Sequence, residues 1–233
     1  MPTSAPGILA IWNDCAPEGY AHYERWFNRE HLQERVSVPG FKFGRRYELL
    51  SGGDRRFFAF YEVDSPAVLT SPAYLQRLES PTPWTQKTMT LVSNMVRTVC
   101  EVRAAAGNLI GSHAVVLRAE AEMAPTPAAE TFVHELVAEG GIARVQLWTA
   151  AAAQTRPDTA EMKARGKDEL TAGALVVECL RRADAERVAK SLGGPPAELG
   201  ISGASVLGIY ALLCIYSSSG PASARAGAPP AAA

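Results

Sequence analysis

The strongest constraint on this chain is an element order that occurs twice. In the first half, GILAIWND (residues 7–14) reads as a strand. Residues 18 to about 36 read as a helix, bounded by Pro17 before it and by Pro39-Gly40 after it. FKFGRRYELL then sets Phe41, Phe43, Arg45, Tyr47 and Leu49 on one side of a strand, because alternate residues of an extended chain share a face. A Gly-Gly-Asp turn leads into a second strand, RRFFAFYEV, residues 55–63. SPAVLTSPAYLQRLES predicts a short helix, with Ser65 as N-cap and Pro66 at its first position. TMTLVSNMVRTVCEVRA predicts a last, long strand. The second half repeats the order: strand SHAVVLRAEA, helix PAAETFVHELVAEGG, strands IARVQLWTAA and GALVVECLRR, helix ADAERVAKSLGG and strand GASVLGIYALLCIYSS. A polar stretch, 154–171, separates the middle strands.

The repeated order is β-α-β-β-α-β, the split-βαβ or ferredoxin-like motif, whose sheet has one face left bare by its own helices. Two such sheets in one chain can bury those faces against each other. The expected fold is therefore α+β: two tandem ferredoxin-like units packing their sheets as an intrachain α+β barrel, helices outside. The expected division is 1–106 for a first unit carrying the site, 107–217 for a second, diverged unit, and 218–233 for a disordered Ala/Pro/Ser-rich tail.

Several function classes are disfavoured at this level. A formal net charge of -1 gives no general attraction to nucleic acid or anionic membrane. No apolar run approaches the roughly 20 residues of a membrane helix, and the N-terminus lacks the pattern of a signal peptide. Cys15, Cys100, Cys179 and Cys214 are widely separated and without zinc-ligand spacing; three of them sit within or beside apolar segments, where a buried thiol is the plain reading, and a reducing cytoplasm fits. Neither a GxGxxG or Walker loop, nor a GxSxG elbow, nor an HExxH pair occurs. No metal and no cofactor is expected.

Chemistry points to the first helix. At 100° per residue, Tyr20, Tyr23, Phe27, His31 and Glu34 fall in one stripe. His31 on that stripe projects toward the sheet, where an imidazole can give or take a proton near neutrality, with Glu34 in reach at i+3 to fix its tautomer. The alternative is a satisfied core or rim histidine. Trp12 and Asp14 share one face of the first strand and Asn13 takes the other; Asp14 could orient a base or make a turn. In GRRYE, Arg45 and Tyr47 share a face opposite Arg46; one arginine suits an anionic oxygen and the other a surface carboxylate. The Tyr61 hydroxyl sits on an apolar wall with Phe57 and Ala59 and needs a partner. Trp84, in the proline-rich SPTPWTQ, reads as non-helical and as either a pocket lid or a core plug.

ERWFNREHLQERVSVPGFKFGRRYE, followed by FFAFYEVDSPAVLTSPAYLQRLESPTPWTQ, resembles the EthD-like branch of the dimeric α+β barrel superfamily. The resemblance covers about residues 7–103 and reaches the second half only through element order. It implies the barrel fold and a range of activities: cofactor-free isomerases, cyclases, monooxygenases and decarboxylases, and also haem-binding enzymes. It makes His31 the acid/base.

The expectation is a cytoplasmic, cofactor-independent enzyme of lyase, isomerase or cyclase type. Its substrate would be a small aromatic or polyketide-like carbonyl compound. His31, Tyr61 and Arg46 are the candidate catalytic groups. Trp12, Asp14, Tyr23, Trp26, Phe27, Tyr47 and Trp84 are the candidate binding groups. A non-catalytic small-molecule-binding accessory protein and, behind it, a haem-binding protein are the alternatives. A homodimer is compatible with the sequence.

Overall fold

The computed structural model describes residues 5–152, 159–165 and 168–218. The first half supplies β1 (Gly7–Cys15), β2 (Phe41–Gly52), β3 (Phe57–Val63) and β4 (Val92–Ala106). The second supplies β5 (His113–Ala119), β7 (Ile142–Ala150), β8 (Gly173–Cys179) and β10 (Ser205–Ser217). β6 (Glu122–Met123) and β9 (Ile201–Ser202) form a small separate sheet. The eight long strands close into an antiparallel barrel in the order β1-β3-β2-β10-β5-β8-β7-β4. Within it lie two four-strand sheets, β4-β1-β3-β2 and β10-β5-β8-β7, joined along β2–β10 and β4–β7. The intrachain α+β barrel is thus formed as expected.

Strand alternation sorts the core into three layers. Ile8, Ala10, Trp12, Tyr47, Phe58, Phe60, Trp148 and Tyr210 point into the barrel. Trp12 stacks on Phe58 at 5.0 Å, and Trp148 packs on Phe60 at 5.0 Å across the two halves. Burying each large apolar side chain is worth about 1.5–3 kcal/mol, so this aromatic filling strongly favours closure. Leu9, Ala59 and Tyr61 point outward under the first-half helices. Val115, Leu117, Leu175 and Val177 do the same under the second-half helices.

The helices are α1 (Tyr20–Trp26), α2 (Leu32–Val36), α3 (Pro72–Glu79), α4 (Pro83–Met89), α5 (Ala129–Ala138), α6 (Ala160–Arg165) and α7 (Arg182–Leu192). Pro17–Gly19 form a 3-10 turn, so the first helix begins at Tyr20 and not at residue 18. A π-helical turn, Phe27–His31, joins α1 to α2. Gly40 follows with φ +91°, the left-handed geometry that the Pro-Gly turn requires.

The structure corrects three expectations of local structure. The helix over SPAVLTSPAYLQRLES is two elements: a 3-10 turn, Pro66–Thr70, and then α3. Pro72 interrupts it, and the Ser71 hydroxyl accepts from the Tyr74 N–H at 3.3 Å to start the second piece. Trp84 is helical, because Thr82 caps α4 by accepting from the Thr85 N–H at 3.0 Å and Pro83 occupies the first turn, where it is tolerated. The long strand starts later, at Val92, because α4 runs on through Met89. The tail expected over 218–233 lies outside the described residues beyond Ser218. Among the described residues no helix is long and apolar enough to cross a membrane, and no group of His, Cys, Asp and Glu is arranged to hold a metal ion.

Candidate functional site

The π turn sets the site. Widening one turn brings residues i and i+5 into register, so the Trp26 and His31 rings stack at 4.2 Å and 33°. Phe27 lies 5.2 Å from His31 and Tyr61 6.4 Å, edge-on. These residues line a cavity of about 40 Å³ between the helix and the sheet of the first half. Leu9, Ile11, Asn13, Tyr23, Arg35 and Ala59 contribute to its wall, with Tyr74, Leu78, Met89, Val92, Met95 and Arg97. The second half contributes Glu161 of α6, which packs on α3 and α4.

The polar groups of the wall differ in how far they are engaged. Tyr23 donates to Asn13 Oδ1 at 3.1 Å. Trp26 Nε1 donates to Thr85 Oγ1 at 3.0 Å, and Thr85 and Thr82 both donate to Glu30. Arg97 donates to the Tyr74 hydroxyl at 2.9 Å. Arg35 forms a buried ion pair with Glu161. The Tyr61 hydroxyl is fully buried and, among the described residues, has no hydrogen-bond partner. Burial holds its pKa well above the usual phenol value despite the opposing effect of Arg35, so it stays protonated and able to donate. Tyr61 is held in place by Gly44, its partner on β2: a Cβ there would stand 2.7 Å from the Tyr61 ring.

Of the residues singled out in the sequence, His31, Tyr61, Tyr23, Trp26 and Phe27 converge on this cavity. The others do not. Trp12 and Tyr47 lie on the opposite side of the sheet, inside the barrel. Asp14 holds the strand ends, accepting from the Arg56 N–H at 2.8 Å and Asn94 Nδ2 at 2.9 Å. Trp84 packs on the outer edge of the core near His22, ring centroids 6.2 Å apart. Arg46 is fully buried behind the cavity wall, its guanidinium caged by Tyr23, Phe27 and Phe57 at 4.8, 4.7 and 4.7 Å. Arg45 enters the barrel and pairs with buried Glu178, while Arg46 Nη1 lies 3.6 Å from the carboxylate of exposed Glu24, so one of the two arginines does take a surface carboxylate. Glu34 turns to Arg77 at 3.8 Å, and its place beside the cavity falls to Arg35.

Asn13, Arg35, Arg97 and Glu161 were not identified from sequence. Arg35 is one helical turn beyond His31, and Asn13 shares the outward face of Leu9 and Ile11, so both carried a readable signal. Glu161 comes from a polar stretch with no periodic pattern and carried none.

No family model and no curated protein matches the sequence. Solved structures do match. An anthrone oxidase-like protein superposes with a TM-score of 0.58 at 9% identity, covering 94% of this chain and 95% of that one. A proposed monooxygenase from Fusobacterium nucleatum subsp. nucleatum superposes with a TM-score of 0.53 at 10% identity, covering 92% and 95%. This chain shares their fold, here an eight-strand antiparallel barrel with helices packed outside it. At such identity the likeness extends to the fold alone.

Proposed function

We propose that this chain is an EthD-like representative of the fold and that its first-half cavity binds a small carbonyl compound on which His31 acts as acid and base. The EthD-like reading rests on the Trp26-to-His31 helix, the Pro-Gly-Phe turn and the Arg-Arg-Tyr strand. The observation that carries the chemical reading is the pairing of a buried imidazole with a buried phenol, unpartnered among the described residues, on one cavity. His31 removes a proton next to a carbonyl. The electron pair moves to oxygen, and the Tyr61 hydroxyl donates to the oxyanion that develops. Return of the proton to another carbon completes an isomerisation; departure of a leaving group completes a lyase reaction. Aromatic walls from Trp26 and Phe27 keep water out. Arg46 acts on the wall and not on substrate, since three rings surround its guanidinium.

The cavity volume limits the substrate. Pockets for whole drug-sized ligands have about 300–1,000 Å³, against about 40 Å³ here. The cavity as it stands therefore takes the reacting group, and a larger aromatic or polyketide-like body needs it to widen. A haem does not fit: its macrocycle would have to replace the Trp26, Phe27 and Tyr61 rings packed round His31.

The test is a His31→Gln variant assayed with a panel of small β-keto compounds and phenols. Turnover present in the wild type and lost in the variant, with ligand binding kept, is the expected result. Binding without turnover in the wild type itself favours the accessory-protein reading, in which the cavity only sequesters its ligand.

A further inference from the structure

Arg35 stands on the same cavity as His31, one turn along the helix, and its chemistry is unspent. Its side chain is 3% exposed. Nη2 donates to Glu161, while Nη1 is buried without a hydrogen-bond partner among the described residues. The Tyr61 hydroxyl, on the same wall, is likewise buried and unpartnered. A guanidinium can only donate, and a phenol kept protonated by burial donates as well. The two open positions of this wall therefore ask for an acceptor. The neighbouring positive charge makes an anionic acceptor better than a neutral one. A space of about 40 Å³ admits a group of a few atoms.

We propose that Arg35 is the anchor for an anionic oxygen of the ligand, a carboxylate or enolate, with Tyr61 as second donor and Glu161 as the resident counter-ion. This deepens the reading of the cavity as a ligand site and rests on it. Glu161 arrives from the second half, on α6, which covers the cavity against α3 and α4. In the ligand-free protein its carboxylate neutralises Arg35, which would otherwise be a buried bare charge. A ligand anion bound at the open Nη1 position adds a second negative charge beside Glu161, so the two compete for Arg35. That competition couples ligand entry to the seating of α6. It also gives the second half a part in a site that its own helix–sheet layer lacks.

The competition has a definite sign. Acetate is the probe, acetamide its neutral match, and chloride holds ionic strength constant. Binding is followed by titration calorimetry and by melting temperature. Glu161→Gln should bind acetate at least tenfold more tightly than the wild type, with a larger rise in Tm, and should not respond to acetamide. The double variant Arg35→Gln/Glu161→Gln, which removes both charges of the pair together, should fold and bind no acetate. Tyr61→Phe should weaken acetate several-fold, and Arg35→Lys should bind it less well for want of the planar fork. Equal binding of acetate and acetamide, or acetate binding kept in the double variant, overturns the proposal. Should Glu161→Gln not fold even in acetate, the near-isosteric Tyr61→Phe decides, and unchanged acetate affinity there overturns the proposal equally. His31→Gln should keep acetate binding. Failure of the acid/base reading thus appears as absent turnover with acetate still bound, and failure of the anchor as lost selectivity for the anion.

Discussion

The two helix–sheet layers descend from the same topology and are filled in opposite ways. The β1–β3 ladder runs from Gly7↔Val63 to Asn13↔Phe57, and the β5–β8 ladder from His113↔Cys179 to Ala119↔Gly173. Counting along them, Tyr61 corresponds to Val177, Asn13 to Ala119 and Phe57 to Gly173. Wherever the first layer carries an aromatic or polar group here, the second carries a small or aliphatic one. The helices follow suit. The first layer has α1, a π turn and α2, with His31 and Arg35 facing inward; the second has α5, an unbroken α-helix burying Ala129, Val133 and Leu136. A layer of Val, Leu and Ala packs to crystal-like density and needs no hydrogen-bond partners. A layer with buried His, Arg, Asn and Tyr needs a partner for each polar atom, and among the described residues donors of Arg35, Arg46 and Tyr61 go without a hydrogen bond. The difference separates a layer that holds the fold from a layer that leaves chemistry available.

That contrast fixes the expected order of mutational effects. Leu175→Ala in the second layer should cost about 2–5 kcal/mol of stability and leave ligand affinity unchanged once the protein is folded, measured by denaturant unfolding and calorimetry. Gly44→Ala in the first layer should cost about 1–3 kcal/mol through overpacking and should also weaken ligand binding, because the new methyl displaces the Tyr61 ring. Tyr61→Phe should raise stability by about 1 kcal/mol, since it removes a buried hydroxyl with no partner, and yet lower activity. A first-layer change that stabilises while it disables, beside a second-layer change that does the reverse, is the sharpest form of the comparison.

The smallest effect lies in alkali. Burial raises the Tyr61 and Tyr23 phenols above their ordinary value. Above about pH 10, where an unfolded phenol ionises, the folded state still holds protons that the unfolded state has released. The unfolded state then binds fewer protons, so stability falls as pH rises toward the folded values. Tyr61→Phe removes one contributor and should flatten this alkaline decline in a series of unfolding curves; a decline as steep as in the wild type would mean that Tyr61 is not buried as described.

Much of the fold was legible because period-two alternation and helix caps are local signals. The face assignments Leu9/Ile11/Asn13 against Ile8/Ala10/Trp12, and Arg46 against Arg45 and Tyr47, follow from strand alternation alone. Alternation does not say which face meets a helix and which meets the other sheet. On alternation alone Trp12 and Tyr47 suit a pocket wall, whereas both point into the barrel. The helix wheel brought out Tyr23, Phe27 and His31 but assumed a uniform 100° step. The π turn breaks that step, stacking Trp26 on His31, and Arg35 in place of Glu34 lines the cavity. Two prolines in SPTPWTQ read as helix breakers, whereas Thr82 and Pro83 are a helix start. Glu161 meets Arg35 across 126 residues, a pairing that exists only after the barrel has closed.

The most direct test compares histidines within one molecule. The chain has four, His22, His31, His113 and His134, and their imidazole signals can be followed by NMR as small β-keto acids and phenols are added. The account predicts that one of these ligands shifts the His31 signal and its titration midpoint, while His134 on α5 of the second layer does not move. A His31 signal indifferent to every ligand, or one that moves no more than His134, would contradict the claim that the first layer is the working one.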